Sequence, residues 1–199
     1  LFSILLLPLS LITIIKNYYE NGKIKRNFYD FRSICVGNIY IGGTGKTPLV
    51  NNLASHFKKR FKTAIIKKNY TSHTDEKKLL ESKHKVIFEK TRELSLSKAE
   101  QEKTQIVIFD DGLQEKTINY DIKIVCFNSL KLDGNGLVIP AGPLREKLNS
   151  IKNYDLVLIN GNTNKESKNF EKKVKNINPN IKIFTGKYVP KDYSKLRRK

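Results

Sequence analysis

The sequence predicts an α/β domain, with a mostly parallel sheet covered by helices on both faces. Three observations predict it. Short apolar runs alternate with helical patterns from Ser33 onward, the signature of repeated strand–helix–strand units. A Gly-rich turn, Gly42-Gly43-Thr44-Gly45-Lys46-Thr47, joins the first strand to the first helix of that region. The β-branched run Ile106-Val107-Ile108-Phe109 ends abruptly in Asp110-Asp111-Gly112.

In chain order, residues 1–15 are almost wholly apolar. As a helix they would span roughly 22 Å at 1.5 Å per residue, short of the ~20 residues a bilayer crossing needs. Lys16, Tyr18, Tyr19, Lys23, Lys25, Arg26, Phe28, Tyr29 and Phe31 follow. Basic and aromatic residues beside an apolar helix suit the headgroup layer. Residues 1–31 therefore read as a membrane-surface anchor with a linker, and a buried N-terminal helix is the competing reading.

Residues 32–199 read as the α/β domain itself. Ser33–Asn38 is a short apolar strand. Thr47–Arg60 is a helix, with Leu49, Leu53 and Phe57 on one face. Strands are expected at Thr63–Lys67, Lys85–Phe88, Ile106–Phe109, Ile122–Phe127, Asp155–Ile159 and Ile181–Phe184. Helices are expected at Asp75–Ser82, Arg92–Glu102 and Asn164–Asn176, the last placing Phe170, Val174 and Ile177 on one stripe. Asp133–Arg145 is a Gly- and Pro-rich loop, and Lys191–Lys199 a solvated basic tail.

Composition excludes collagen-like and wholly disordered chains, with 39% hydrophobic and 29% charged residues. The 38 Lys and Arg against 19 acids give a net charge of +19. Only seven of the 38 are Arg, and the Lys residues are spread along the chain. A nucleic-acid surface would favour clustered Arg with interleaved aromatics, so no nucleic-acid partner is expected. Cys35 and Cys126 each sit inside an apolar run without CxxC spacing, and read as buried, inert thiols. His56, His73 and His84 form no metal-ligand spacing; His56 reads as a helix-surface residue.

The Gly-rich turn carries the strongest chemical signal. Between a strand and a helix, successive backbone N–H groups can point inward at phosphate oxygens, and glycines permit the close approach. Residues 40–47 (Tyr40, Ile41, Gly42, Gly43, Thr44, Gly45, Lys46 and Thr47) are the expected phosphate-binding loop. Lys46 would reach the β- and γ-phosphates, and the Thr47 hydroxyl would bind Mg²⁺. Tyr40 stands where the strict GxxxxGK[ST] pattern has its first glycine. Asp110 and Asp111 end a buried strand at the sheet edge that holds ligands in parallel folds; they are the expected Mg²⁺ carboxylates. The fold expectation sharpens accordingly to a P-loop NTPase-like domain preceded by an apolar helix.

Three motifs then resemble one family. Val36-Gly37-Asn38-Ile39 running into Gly42-Gly43-Thr44-Gly45-Lys46-Thr47-Pro48 is similar to the opening motif of the tetraacyldisaccharide 4'-kinases, which phosphorylate the lipid A precursor. Asp110-Asp111-Gly112-Leu113-Gln114 resembles the family's DDGLQ motif. Gly134-Asn135-Gly136 followed by Pro140-Ala141-Gly142-Pro143-Leu144-Arg145-Glu146 resembles its GNG…PAGPLRE stretch. The resemblance covers roughly residues 1–160. It implies ATP as donor, Mg²⁺ as cofactor and the 4'-hydroxyl of a tetraacylated glucosamine disaccharide as acceptor. It also implies the cytoplasmic face of the inner membrane, with the apolar N-terminus as docking helix; a monomer is expected.

Carried onto this chain, the resemblance makes Asp75 the expected base for the sugar hydroxyl and Glu76 a further metal ligand. Arg145 is expected to pair with a phosphate, a structural loop salt bridge being the competing role. Tyr70 would line the cleft. The chain departs from the family at several places. Arg-Gly-Tyr appears as Lys68-Asn69-Tyr70, Asp-Arg as Thr91-Arg92, and the His after DDGLQ as Glu115. The family's later catalytic His has no counterpart, so a fragment or a shortened copy is expected. Another P-loop ATPase and a non-catalytic nucleotide-binding module are the alternative functions.

Overall fold

The structure, a computed structural model, describes residues 2–21, 29–67 and 80–189. Two helices, α1 (Phe2–Leu5) and α2 (Leu7–Asn21), precede a seven-stranded sheet. Its strands are β1 (Arg32–Gly37), β2 (Thr63–Lys67), β3 (Val86–Ile87), β4 (Ile106–Asp110), β5 (Ile122–Asn128), β6 (Leu156–Asn160) and β7 (Lys182–Gly186). They run in the order β3-β2-β4-β1-β5-β6-β7, and every pairing is parallel. The expected α/β class with a parallel sheet is what the chain adopts.

Burial explains why the central strands read as unbroken apolar runs. All five residues of β4 are buried, as are the last five of β1, because parallel strands are covered on both faces. One face carries α3 (Lys46–Phe57), whose Val50 and Ala54 pack on Ile34, Val36, Ile65, Ile108 and Cys126. Leu49, Leu53 and Phe57 border that layer. The other face carries α4 (Arg92–Gln101) and α5 (Lys165–Ile177), with Leu96, Ala99, Phe170 and Val174 against Val107, Phe109, Val125 and Phe127. The stripe of Phe170, Val174 and Ile177 thus faces the sheet, the last of them partly buried. Cys35 and Cys126 are buried free thiols on opposite faces.

Several boundaries differ from expectation. The N-terminal helical stretch breaks at Leu6 and then runs past the apolar residues to Asn21, its Asn17 tied to the Arg145 carbonyl. A 3₁₀ helix at Leu148–Asn153 was not expected; it buries Leu148 and Ile151 and packs beside α5. Strand β6 lies one residue later than expected, and β7 starts one residue later and ends two later, since their pairing register and not their apolar run sets the ends. The expected helix at residues 75–82 falls largely outside the described residues, and the expected basic tail lies wholly outside them.

Candidate functional site

The C-terminal edge of the sheet assembles the site. β1 ends at Gly37 and the chain turns through Tyr40–Gly45 into α3. Gly42, Gly43 and Gly45 have φ of 67°, 59° and 81°, conformations open to glycine. Gly45 is the N-cap of α3, so the first-turn amides of that helix face the cleft, where a helix N-terminus favours an anion. A Cβ on Gly45 would lie 2.1 Å from Asn160 Nδ2, at the end of β6. The loop is therefore clamped by a neighbouring strand end, and Asn128 Nδ2 at the end of β5 donates to the Gly43 carbonyl at 3.3 Å.

A cleft of about 290 Å³ is lined by residues 42–48 together with Lys67, Asp110, Asp111 and Arg145. Of the expected phosphate loop, residues 42–47 line it. Tyr40 and Ile41 do not. The Ile41 amide donates to the Pro143 carbonyl at 2.9 Å, and Tyr40 bridges antiparallel to Leu144. Their backbone groups anchor the loop to the 143–144 segment.

The charged groups form one network. Lys46 Nζ donates to Asn38 Oδ1 at 2.7 Å and lies 3.4 Å from Asp111 Oδ1. Arg145 Nη1 contacts both Asp111 oxygens, at 3.1 and 3.2 Å, and donates to Gln114 Oε1 at 3.1 Å. Gln114 Nε2 in turn donates to the Asn38 carbonyl at 3.0 Å and to Glu146 Oε1 at 3.1 Å. Glu146 is buried and also holds Lys116 Nζ at 3.2 Å. Asp111 has φ of 63°, a left-handed conformation that Asp tolerates better than most residues. Its amide donates to the Val36 carbonyl at 2.8 Å, and its carbonyl accepts from Arg92 Nη2 at 2.8 Å. The bend after β4 thus sends Asp110 and Asp111 in different directions into one cleft.

Asp110 pairs with Lys67 Nζ at 2.9 Å. Among the described residues no cluster of three or more His, Cys, Asp or Glu could cage a metal. The donors present are the Thr47 hydroxyl and the carboxylates of Asp110 and Asp111, all oxygen and all on one cleft. That set fits Mg²⁺, which is commonly held by one or two carboxylates plus substrate phosphates.

Asp75, Glu76, Tyr70 and His73 lie outside the described residues. His56 is exposed on α3, as expected, and His84 Nε2 bonds Asn51 Oδ1 at 2.8 Å. Burial, then Lys58 and Lys83, hold the His84 imidazole below its ordinary pKa. Reading the sequence missed the parts played by Lys67, Asn38 and Gln114. A usable signal existed for Lys67: a lysine closing an apolar strand, in a sheet where β2 and the acid-ended strand are natural neighbours.

The family model of the tetraacyldisaccharide-1-P 4'-kinases matches residues 2–199. The chain belongs to that family. A tetraacyldisaccharide 4'-kinase of Pelagibacter ubique (strain HTCC1062) is 48% identical over 197 residues, covering 95% of this chain and 60% of the relative. One from Francisella tularensis subsp. novicida (strain U112) is 33% identical over 205 residues, covering 89% and 63%. The chain thus spans about 60% of the length of the curated relatives it matches. The crystal structure of LpxK from Aquifex aeolicus in complex with ATP shares the fold, with a TM-score of 0.68 at 19% identity over 97% of this chain and 86% of that one. HypB from Archaeoglobus fulgidus is similar in fold at a TM-score of 0.53.

For this tetraacyldisaccharide 4'-kinase family member, the arrangement brings the three sequence motifs together. The glycine-rich turn with Lys46, the Asp110–Gln114 segment and the Pro140–Glu146 segment meet through Lys46, Asp111, Gln114 and Arg145. Arg145 makes the intramolecular salt bridge that competed with phosphate binding, and it also lines the cleft.

Proposed function

We propose that the intact protein transfers the γ-phosphoryl group of ATP to the 4'-hydroxyl of a tetraacylated glucosamine disaccharide. The observation that carries this reading is the convergence of Lys46, Asp111 and Arg145, one from each motif, on the cleft bounded by the glycine turn. Family membership supplies the acceptor class.

Phosphoryl transfer needs positioning and charge neutralisation more than covalent help from the protein. The amides of residues 42–47 and the α3 N-terminus cradle the phosphates. Lys46 neutralises the β- and γ-phosphates, and Asn38 orients its ammonium. Arg145, steadied by Gln114, sits where it can pair with a phosphate oxygen. Thr47, Asp110, Asp111 and Glu76 would hold Mg²⁺, which when bound screens the charge that develops on the phosphate oxygens. Asp75 accepts the hydroxyl proton as the sugar oxygen bonds to the γ-phosphorus and ADP departs.

The acceptor is acylated, so the enzyme works at a lipid surface, as a monomer on the cytoplasmic face of the inner membrane. Exposed Ile4, Leu5, Leu9, Leu11, Ile12 and Ile15 on α1 and α2, with Tyr18 and Tyr19 beside them, support work at a lipid surface. Among the described residues no helix is long and apolar enough to cross a membrane, which fits a surface-bound helix.

The test is Lys46→Ala in the intact protein, assayed with radiolabelled ATP and lipid A disaccharide. Turnover is expected to fall by at least ~100-fold, the scale for losing one pre-organised charge-stabilising donor, with an unchanged circular dichroism spectrum. Near-normal turnover would refute the assignment.

A further inference from the structure

Lys67 is the last residue of β2 and Asp110 the last of β4, and the two are register partners in adjacent parallel strands. Alternation along each strand sends both side chains to the α3 side, as Ile65 and Ile108 two residues earlier pack with Val50 and Ala54. Lys67 Nζ lies 2.9 Å from Asp110 Oδ2, with side-chain exposures of 10% and 2%. Both residues line the cleft with Thr47.

One of the two carboxylates that would hold a divalent cation therefore already holds a monovalent one. A second cation at Asp110 would meet the ammonium of Lys67 in a low-dielectric site, where like charges repel strongly. Added phosphates change that balance, because they bring negative charge enough for both cations. Lysine has the flexible stem needed to move its charge from one oxygen to another.

We infer that Lys67 is a tethered counter-cation: it occupies Asp110 while the cleft lacks phosphates, and yields that carboxylate to the metal when metal and nucleotide arrive together, turning its ammonium to the phosphates. Divalent-cation binding is then conditional on nucleotide. Lys67 is a positioning residue in this scheme, and the scheme rests on the nucleotide-cleft reading above.

The experiment measures Mn²⁺ binding by the paramagnetic resonance of free Mn²⁺, on the intact protein and its Lys67→Met and Lys67→Arg variants. Without nucleotide, Lys67→Met is expected to bind Mn²⁺ at least about tenfold more tightly than the parent, an electrostatic gain of the size one removed neighbouring charge gives. Lys67→Arg, which keeps the charge, should behave as the parent. Mn²⁺ should also raise the melting temperature of Lys67→Met more than that of the parent, each against its own metal-free baseline, so a destabilised variant still reports. With the non-hydrolysable analogue AMP-PNP present, the parent should bind Mn²⁺ and the advantage of Lys67→Met should shrink. Equal metal affinity of parent and Lys67→Met without nucleotide, while the parent binds Mn²⁺ with AMP-PNP, overturns the role of Lys67 alone. Failure of the parent to bind AMP-PNP with Mn²⁺ overturns the nucleotide cleft itself and this inference with it.

Discussion

At Gly45 the backbone and its surroundings both exclude a side chain. Its φ is 81°, and Asn160 Nδ2 sits 2.1 Å from where a Cβ would fall. Gly45→Ala is expected to destabilise the fold by roughly 1–2 kcal/mol from the left-handed backbone alone, with a further loss from the clash. Adding Asn160→Ala should recover the clash but not the backbone cost, which thermal melts of the single and double variants would separate. The two thiols give a second prediction. Burial pushes both Cys35 and Cys126 up to about 12. Neither should react with a thiol reagent at pH 8 until the protein unfolds, as a native-versus-denatured labelling time course would show. The unfolded thiols ionise from about pH 8.5 upward and the folded ones do not. Their contribution to stability is thus complete below about pH 8.5 and declines as the pH climbs towards 12. At this scale the sequence was legible where chemistry forces a residue type, as at Lys46 and the buried cysteines. It was not legible at Lys67, whose meaning depends on which strand lies beside it.

Among the elements, α5 has the clearest independent signature. Asn164 caps it by accepting from the Ser167 amide at 2.7 Å, and the Ser167 hydroxyl accepts from the Asn164 amide at 2.9 Å. Asn164→Ala removes the first bond and should lower stability by about 1 kcal/mol, visible as a fall in melting temperature without a change in nucleotide binding. Such caps and the apolar stripe through Phe170 and Val174 are why this helix could be placed from sequence to within a residue. β3 is the contrasting case. The strand is just Val86 and Ile87 in register with Ile65 and Ile66 of β2, preceded by the Lys85 carbonyl, which accepts from the Ile65 amide; an edge strand is ended by what it pairs with. The Pro140–Glu146 segment is another case that periodicity does not reach. Its value lies in hydrogen bonds to distant chain: Arg145 N to the Ile39 carbonyl at 2.6 Å, and the Asn17 side chain to the Arg145 carbonyl at 2.9 Å. The motif is visible in the sequence, while its contact with the turn after β1 and with α2 is a fact of three dimensions.

Taken whole, the molecule sets its charged cleft and its apolar helices on a shared scaffold. Ser10 on α2 donates to the Val138 carbonyl at 2.8 Å and accepts from the Ala141 amide at 3.2 Å, so the helix is seated on the loop that also braces the glycine turn. Removing the residues before Arg32 should abolish sedimentation with vesicles of anionic lipid; retention of vesicle binding by the shortened chain would show that another surface carries it. With a net charge of +19, such binding is expected to weaken as salt is raised.

The strand order has one more outcome, for the ribosome. β1 leaves the exit tunnel early, yet its two partners, β4 and β5, are made long afterwards. Nascent chain up to Gln105 therefore carries a greasy strand with both edges unsatisfied, in a topology whose non-local pairings close slowly. The glycine turn hangs from that strand, so it acquires its final shape only after both β4 and β5 have been synthesised.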